Sequence, residues 1–495
     1  MGAIKSLAKD TMVYGLSSIV GRFLNWLLVP LYTAVFAEAE YGTVTYIYAI
    51  TAFVLLILIY GMETGFFRFA NHDRYKDPMT VYSTTLISLA VSSSIFFIGV
   101  MCFLPQVTVA LKCGTHTSYI WMMAAVLACD AFTAIPFCYL RYKHRPFRFA
   151  ALKLISIALN IGFNIFFILI CPWIMRQWPS LIDWFYDPGY GIGYIFLANF
   201  ISSTVVLLLL IPELTGFRWR FDIRLWREMI VYSFPLLILG MAGILNQTID
   251  KMLLPELIAD KAEAMAELGI YGANYKIAIV MVMFIQAFRF AYEPFIFAQN
   301  KQKGDDKLQA YSDAMKYFVI FAMFIFLGVM FYLPVLKYFI APAYFPGLKV
   351  VPVVMVAEFF FGVFFNLSLW YKLTDKTIWG TWFSLLGLAV TLVLNFLLVP
   401  RIGYMGCAIA ALCCYGVMMI ASWAVGRVKY PIHYPTGRLT LYFCAAMALY
   451  GVSVLITTGN QWIDMGIRTI LLAAFVAATL KIERISPRML LPHRR

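Results

Sequence analysis

Fourteen apolar stretches partition this chain, at 11–36, 41–67, 80–105, 117–140, 149–172, 190–212, 227–254, 269–297, 311–334, 347–371, 378–400, 404–426, 438–458 and 465–482. Most approach the roughly 20 residues that cross a bilayer core of about 30 Å. Four runs, 78–111, 377–400, 402–426 and 439–463, contain no Asp, Glu, Lys or Arg. In lipid a segment must satisfy its own backbone N–H and C=O groups, so such runs can only be helices. The expectation is an all-α integral membrane protein with 14 transmembrane helices. With 62% hydrophobic and 13% charged residues, a soluble domain is excluded.

Charge sets the orientation. With residues near span ends counted to the adjoining side, 28 of the 39 Lys and Arg belong to the N-terminus, the even-numbered connections and the tail, 7 to the odd-numbered connections, and 4 (Arg22, Lys251, Lys276 and Arg289) lie deeper within spans. By the positive-inside rule the basic side is cytoplasmic, so both termini face inward. The net charge of +14 is thus a topology signal, and no nucleic-acid partner is expected. Residues 1–10 are short and charged and the first apolar run is long, which predicts a retained helix and no signal peptide. The nine cysteines lie mostly within spans without CxxC or Cys/His spacing, and the five histidines lie in connections or the tail. No catalytic constellation, metal site or cofactor is predicted.

Six spans is an even number, so two six-span halves would both start in the cytoplasm as parallel repeats. Local self-similarity supports them. Ala39-Glu40-Tyr41-Gly42 enters span 2 and Ala266-Glu267-Leu268-Gly269 enters span 8. Phe67-Arg68-Phe69-Ala70 is echoed by Phe288-Arg289-Phe290-Ala291, Asn164 with Pro172 by Asn395 with Pro400, and Gly191/Gly193 by Gly403/Gly406. The expected division is an N-lobe at 1–213, a C-lobe at 227–426, an annex at 438–482 and a basic cytoplasmic tail at 483–495.

Ionisable groups at bilayer depth cost about 2.5–3.5 kcal/mol on insertion scales and face a cavity or a partner. Tyr14, Ser18, Arg22 and Asn25 share one face of span 1. Lys153, Ser156, Asn160 and Asn164 form a second stripe, and Tyr275, Gln286, Arg289 and Glu293 a third, beside Lys276. Arg22, Asn25, Lys153, Asn160, Asn164, Tyr275, Lys276 and Arg289 are the predicted substrate contacts. Glu63, Asp130, Asp250, Glu293 and Glu358 are predicted as ion-coupling groups or structural pairs; Arg289 with Glu293 and Asp250 with Lys251 could neutralise each other. The aromatic connection after span 5, with Trp173, Trp178, Trp184, Phe185, Tyr186 and Tyr190, reads as an interfacial belt or as a stacking surface for sugars.

Gly61-Met-Glu-Thr-Gly-Phe-Phe-Arg68-Phe, Gly269-Ile-Tyr-Gly-Ala-Asn-Tyr-Lys276-Ile-Ala and Asn395-Phe-Leu-Leu-Val-Pro400-Arg-Ile-Gly-Tyr-Met-Gly406 resemble signatures of bacterial polysaccharide flippases of the Wzx type. Tyr14-Gly15 through Pro30-Leu-Tyr resembles that family's first span. The resemblance implies the multidrug/oligosaccharidyl-lipid/polysaccharide (MOP) exporter fold, a V of two pseudo-symmetric six-helix lobes, here with two further C-terminal helices. It implies a bacterial inner-membrane flippase for polyprenyl-diphosphate-linked oligosaccharide, with membrane lipids and polysaccharide polymerase or assembly proteins as partners. A lipid II flippase and a drug/cation antiporter of the same fold stay open. A membrane polymerase or ligase is disfavoured, because such enzymes need a larger outside loop than 173–190.

Overall fold

A computed structural model describes residue 15 and residues 19–484, apart from 73, 74, 76, 300–305, 375 and 457; the side chains of 291, 293–299, 306 and 307 lie outside the description. The described chain is helical. Twelve helices are long and apolar enough to cross a membrane: α2 (Glu38–Ala70), α3 (Pro78–Cys102), α4 (Thr117–Tyr142), α5 (Pro146–Gln177), α7 (Ile223–Leu257), α8 (Lys261–Gln299), α9 (Asp306–Phe331), α10 (Pro342–Leu373), α11 (Ile378–Ile402), α12 (Tyr404–Lys429), α13 (Thr436–Leu455) and α14 (Gln461–Ile482). Two shorter apolar helices, α1 (Ile19–Val35) and α6 (Gly193–Leu209), occupy the places of the first and sixth predicted spans.

Two helices are interrupted where the sequence has a reason. α2 breaks at Tyr60 and Gly61, both left-handed, with Gly61 at φ 73°. A side chain on Gly61 would also meet the Ser233 carbonyl oxygen at 3.0 Å, so glycine serves conformation and space together. α5 widens into a π turn over Phe166–Ile170, where the Cys171 N–H donates to the Phe166 carbonyl. Pro172 has no N–H, and its ring crowds the carbonyl four residues back; a wider turn relieves that clash.

The chain packs as two compact units, Met1–Gly272 with Thr391–Cys407, and Ala273–Val390 with Ala408–Arg495. These are not the six-span halves of the sequence repeat, because α7 is built into the first unit. Asp222 caps α7 by accepting from the Arg224 and Leu225 N–H groups. The connection before it runs along α3, with the Arg220 N–H donating to Ser83 Oγ (2.6 Å) and Tyr82 donating to the Glu213 carbonyl (2.9 Å). α7 then packs on α2 through a cluster that includes Met62, Phe66, Leu86, Leu225 and Met229. Burying each large apolar side chain contributes about 1.5–3 kcal/mol, which ties α7 to this unit.

In the second unit α9 is central, with Phe318, Met323 and Phe326 fully buried. α13 and α14 pack on it, and Phe443 of α13 lies 5.6 and 5.8 Å from Phe359 and Phe360 of α10. The C-terminal pair therefore belongs to that unit's core. Lys316 of α9 meets Glu483, just past α14, at 2.7 Å, and Tyr442 of α13 donates to the same carboxylate at 2.6 Å.

Candidate functional site

A cavity of about 360 Å³ lies within the first unit, between α2, α4, α5 and α6. Four charged side chains line it: Glu63, Asp130, Arg141 and Lys153. Ser203 donates to Asp130 Oδ1 at 2.9 Å. Lys153 Nζ sits 4.0 Å over the Phe137 ring, and among the described residues no carboxylate lies within ion-pair distance of it. Arg141 Nη2 reaches Glu63 only at 3.7 Å and donates to Cys138 Sγ at 3.1 Å, while its Nε is buried without a hydrogen-bond partner. The break at Gly61 aims Glu63 here, since Met62–Ala70 restarts the helix in a new direction.

A ladder of amides backs the cavity. Tyr32 donates to Asn164 Oδ1 (2.9 Å), Asn164 to Asn160 Oδ1 (2.6 Å), Asn160 to Asn199 Oδ1 (2.9 Å) and Asn199 to the Tyr48 hydroxyl (2.7 Å). Of the predicted substrate contacts, Asn164 is fully buried and bonded to Tyr32 of α1, whereas Asn160 bonds to Asn199 of α6 and still lines the cavity. Asn199, Ser203, Tyr48 and Arg141 were not among the predicted residues. An Asn and two serines inside apolar span 6 carried the signal for a polar face; Arg141 was counted only as a charge of the inner connection.

The sequence repeat meets itself. A Cβ on Gly42 of α2 would lie 1.9 Å from the Met265 carbonyl oxygen of α8, and a Cβ on Gly269 would lie 1.9 Å from the Glu38 carbonyl oxygen. Each glycine faces the carbonyl four residues before the other, which is a local two-fold relation between the two Ala-Glu-X-Gly motifs. The glutamates repeat as well. Glu40 Oε1 lies 3.4 Å from the Cβ position of Gly191, and Glu267 Oε2 accepts from the Tyr404 N–H at 2.9 Å, against Gly403 at φ 57°. Nearby, Lys112 pairs with Glu256 at 2.9 Å.

The other predicted residues are dispersed. Arg22 and Asn25 are exposed on α1, while Tyr14 and Ser18 lie outside the described residues. Asp250 is a closed structural group: Tyr271 donates to it at 2.7 Å and Lys251 Nζ lies 3.2 Å away. In the second unit Tyr275 donates to Glu358, and Lys276 is half-buried. Arg289 and Lys372 both stack on Phe365, at 4.7 and 4.4 Å. The Glu293 side chain lies outside the described residues. In the outer connection Tyr186 stacks on Tyr194 and Tyr194 on Phe167, whereas Trp173, Trp178 and Trp184 are exposed.

Residues 7–299, more than half of the chain, match the family model described as polysaccharide biosynthesis protein. The chain belongs to that family. No curated protein matches its sequence. Among solved structures it resembles the lipid II flippase MurJ in an inward closed conformation, with a TM-score of 0.73 at 14% identity over 95% of this chain and 99% of that one. An inward-facing multidrug resistance MATE family transporter of the MOP superfamily gives 0.65 at 13% identity, covering 88% and 98%. The outward-facing MATE conformation gives 0.57 at 13%, covering 88% and 96%. The polysaccharide biosynthesis family member described here therefore has the fold shared by MurJ and the MATE transporters, with twelve helices long and apolar enough to cross a membrane.

Proposed function

We propose that this chain moves a polyprenyl-diphosphate-linked oligosaccharide from the cytoplasmic to the outer leaflet of a bacterial inner membrane by alternating access. In this reading all fourteen helices cross the membrane, both termini are cytoplasmic, and the halves 1–213 and 227–426 rock against each other. The Gly42–Gly269 crossing is the outer closure, since both motifs enter their spans from the side that the charge rule places outside.

The charged cavity of the first unit carries the proposal. Asp130 at membrane depth, with Glu63, Arg141 and Lys153 nearer the cytoplasmic helix ends, makes a charged chamber that is expensive unless a polar cargo passes it. Arg suits the forked contact of phosphate oxygens, and carboxylates and hydroxyls accept from and donate to sugars. A drug/cation antiporter has no comparable use for Arg141 and Lys153. The proposed work is binding and closure with no covalent step, hence a transporter and no enzyme.

Cells depleted of the protein are expected to accumulate the lipid-linked oligosaccharide on the cytoplasmic leaflet, and re-expression to clear it. The measurement is carrier-linked glycan by mass spectrometry, with leaflet assignment by an impermeant glycosidase. Unchanged glycan together with increased sensitivity to cationic drugs would favour the antiporter.

A further inference from the structure

We infer that the cavity of the first unit is the seat of the glycosyl phosphate junction of the cargo, with Arg141 and Lys153 on phosphate and Asp130, Glu63 and Ser203 on the hydroxyls of the first sugar. The inference rests on the function proposed above and specifies where that cargo's junction binds.

Elsewhere several partly buried charges close into tight pairs. Arg148 meets Glu213 at 2.9 Å, Lys316 meets Glu483 at 2.7 Å and Lys112 meets Glu256 at 2.9 Å. In this cavity the nearest opposite charges among the described residues stand 3.7 Å apart, and the Lys153 ammonium lies against the Phe137 ring with no described carboxylate at ion-pair distance. Charges paired so loosely leave room for something that enters. Among the described residues Arg141 Nε is also a buried donor with no acceptor, a condition it shares with Arg468 Nε and that a phosphate oxygen would relieve here.

The four charges also specify what enters. A simple anion leaves the two carboxylates repelling it, and a simple cation leaves Arg141 and Lys153 repelling it. A sugar phosphate meets both sets, because its phosphoryl oxygens accept from the bases and its ring hydroxyls donate to the carboxylates. Ser203 and Ser156 line the same space, beside the faces of Phe137 and Phe149. The volume stands at the low end of small-molecule sites, which span roughly 300–1,000 Å³. It suits one sugar with its phosphate, and a longer glycan must project from it. Glu63, Arg141 and Lys153 come from the helix ends that the charge rule places on the cytoplasmic side, where such a cargo is made.

The test uses the full chain in nanodiscs and titration calorimetry with three probes: farnesyl-diphosphate-linked N-acetylglucosamine, farnesyl diphosphate and free N-acetylglucosamine. The sugar-bearing diphosphate should bind more tightly than the other two. Lys153→Met and Arg141→Met should each weaken both diphosphates by about tenfold or more, the scale of one lost charged hydrogen bond. Arg141→Lys should retain part of the affinity, which separates charge from misfolding. Asp130→Asn and Ser203→Ala should weaken only the sugar-bearing probe. Unchanged affinities in these variants, or a loss in Arg22→Ala alone, would overturn the inference while cargo clearance in cells leaves the function standing. No binding to the native chain, together with no glycan accumulation on depletion, would remove both.

Discussion

Gly42→Val is expected to stop transport while leaving the chain inserted in the membrane. The reason is the closeness of α2 to α8. Even the first carbon of a side chain would lie 1.9 Å from the Met265 carbonyl oxygen, and the obstacle is backbone that no rotamer change can move. The helices must separate, so the closed arrangement loses population by about fivefold to 150-fold if relief costs about 1–3 kcal/mol. Gly269→Ala should act in the same direction, because its Cβ would meet the Glu38 carbonyl oxygen at the same distance. Gly99→Ala in α3 is the control, since nothing lies within 4 Å of a Cβ there. The readout pairs glycan clearance with labelling of Thr45→Cys by an impermeant maleimide in a background without native cysteines. Thr45 Oγ1 lies 2.7 Å from the Cβ position of Gly272, so this site should be shielded in the parent and reactive in Gly42→Val. Normal clearance by Gly42→Val would show that the crossing does not act as a closure.

Removing the partner of Glu483 should release the C-terminal helix pair from α9. Its side chain is only 3% exposed and that of Lys316 only 11%. Breaking one member of a buried pair typically costs about 3–5 kcal/mol, an upper bound here because Glu483 keeps the Tyr442 hydrogen bond and Arg438 at 3.9 Å. Lys316→Met is therefore expected to lower the melting temperature sharply, and the double variant Lys316→Met/Glu483→Gln to recover much of the loss. The pair also predicts acid sensitivity. Burial raises the Glu483 carboxyl, but hydrogen bonds from Lys316 and Tyr442 outweigh it and hold the group below its usual value. A lowered carboxylate stabilises the fold above the unfolded value of about 4.3, and the contribution is lost as pH falls through the lower folded value. Melting should thus turn pH-dependent below about pH 4 in the parent, and this component should vanish in Glu483→Gln. Identical acid profiles would mean that the ion pair does not tie α14 to α9.

The helices were legible because lipid leaves the backbone one choice, and α2 to α5 and α7 to α14 lie where hydropathy put them. The matching Ala-Glu-X-Gly motifs were legible too, and the structure sets Gly42 against Gly269, a contact that sequence alone could not supply. What escaped was partnership. Asn160 and Asn164 share a polar face with Lys153, yet Asn164 is taken up by Tyr32, while Asn160, bonded to Asn199, and Lys153 both line the cavity. Arg22 stood out by depth along its helix, whereas Arg141, at the end of its own, reaches the cavity only because α4 continues to Tyr142. Spacing along one helix fixes a face, and only the neighbouring helices decide what that face touches. The compact units escaped for the same reason, since α7 packs by burial against α2 irrespective of the repeat.

The most direct measurement is flipping by the purified chain alone. Proteoliposomes would carry a fluorescent farnesyl-diphosphate-linked saccharide in both leaflets, with dithionite added outside. The account predicts that the protein renders the inner pool accessible to quenching, that Gly42→Val abolishes this, and that Gly99→Ala does not. Quenching that stops at the outer pool with the native chain present would contradict the claim that this protein moves lipid-linked saccharide across the membrane.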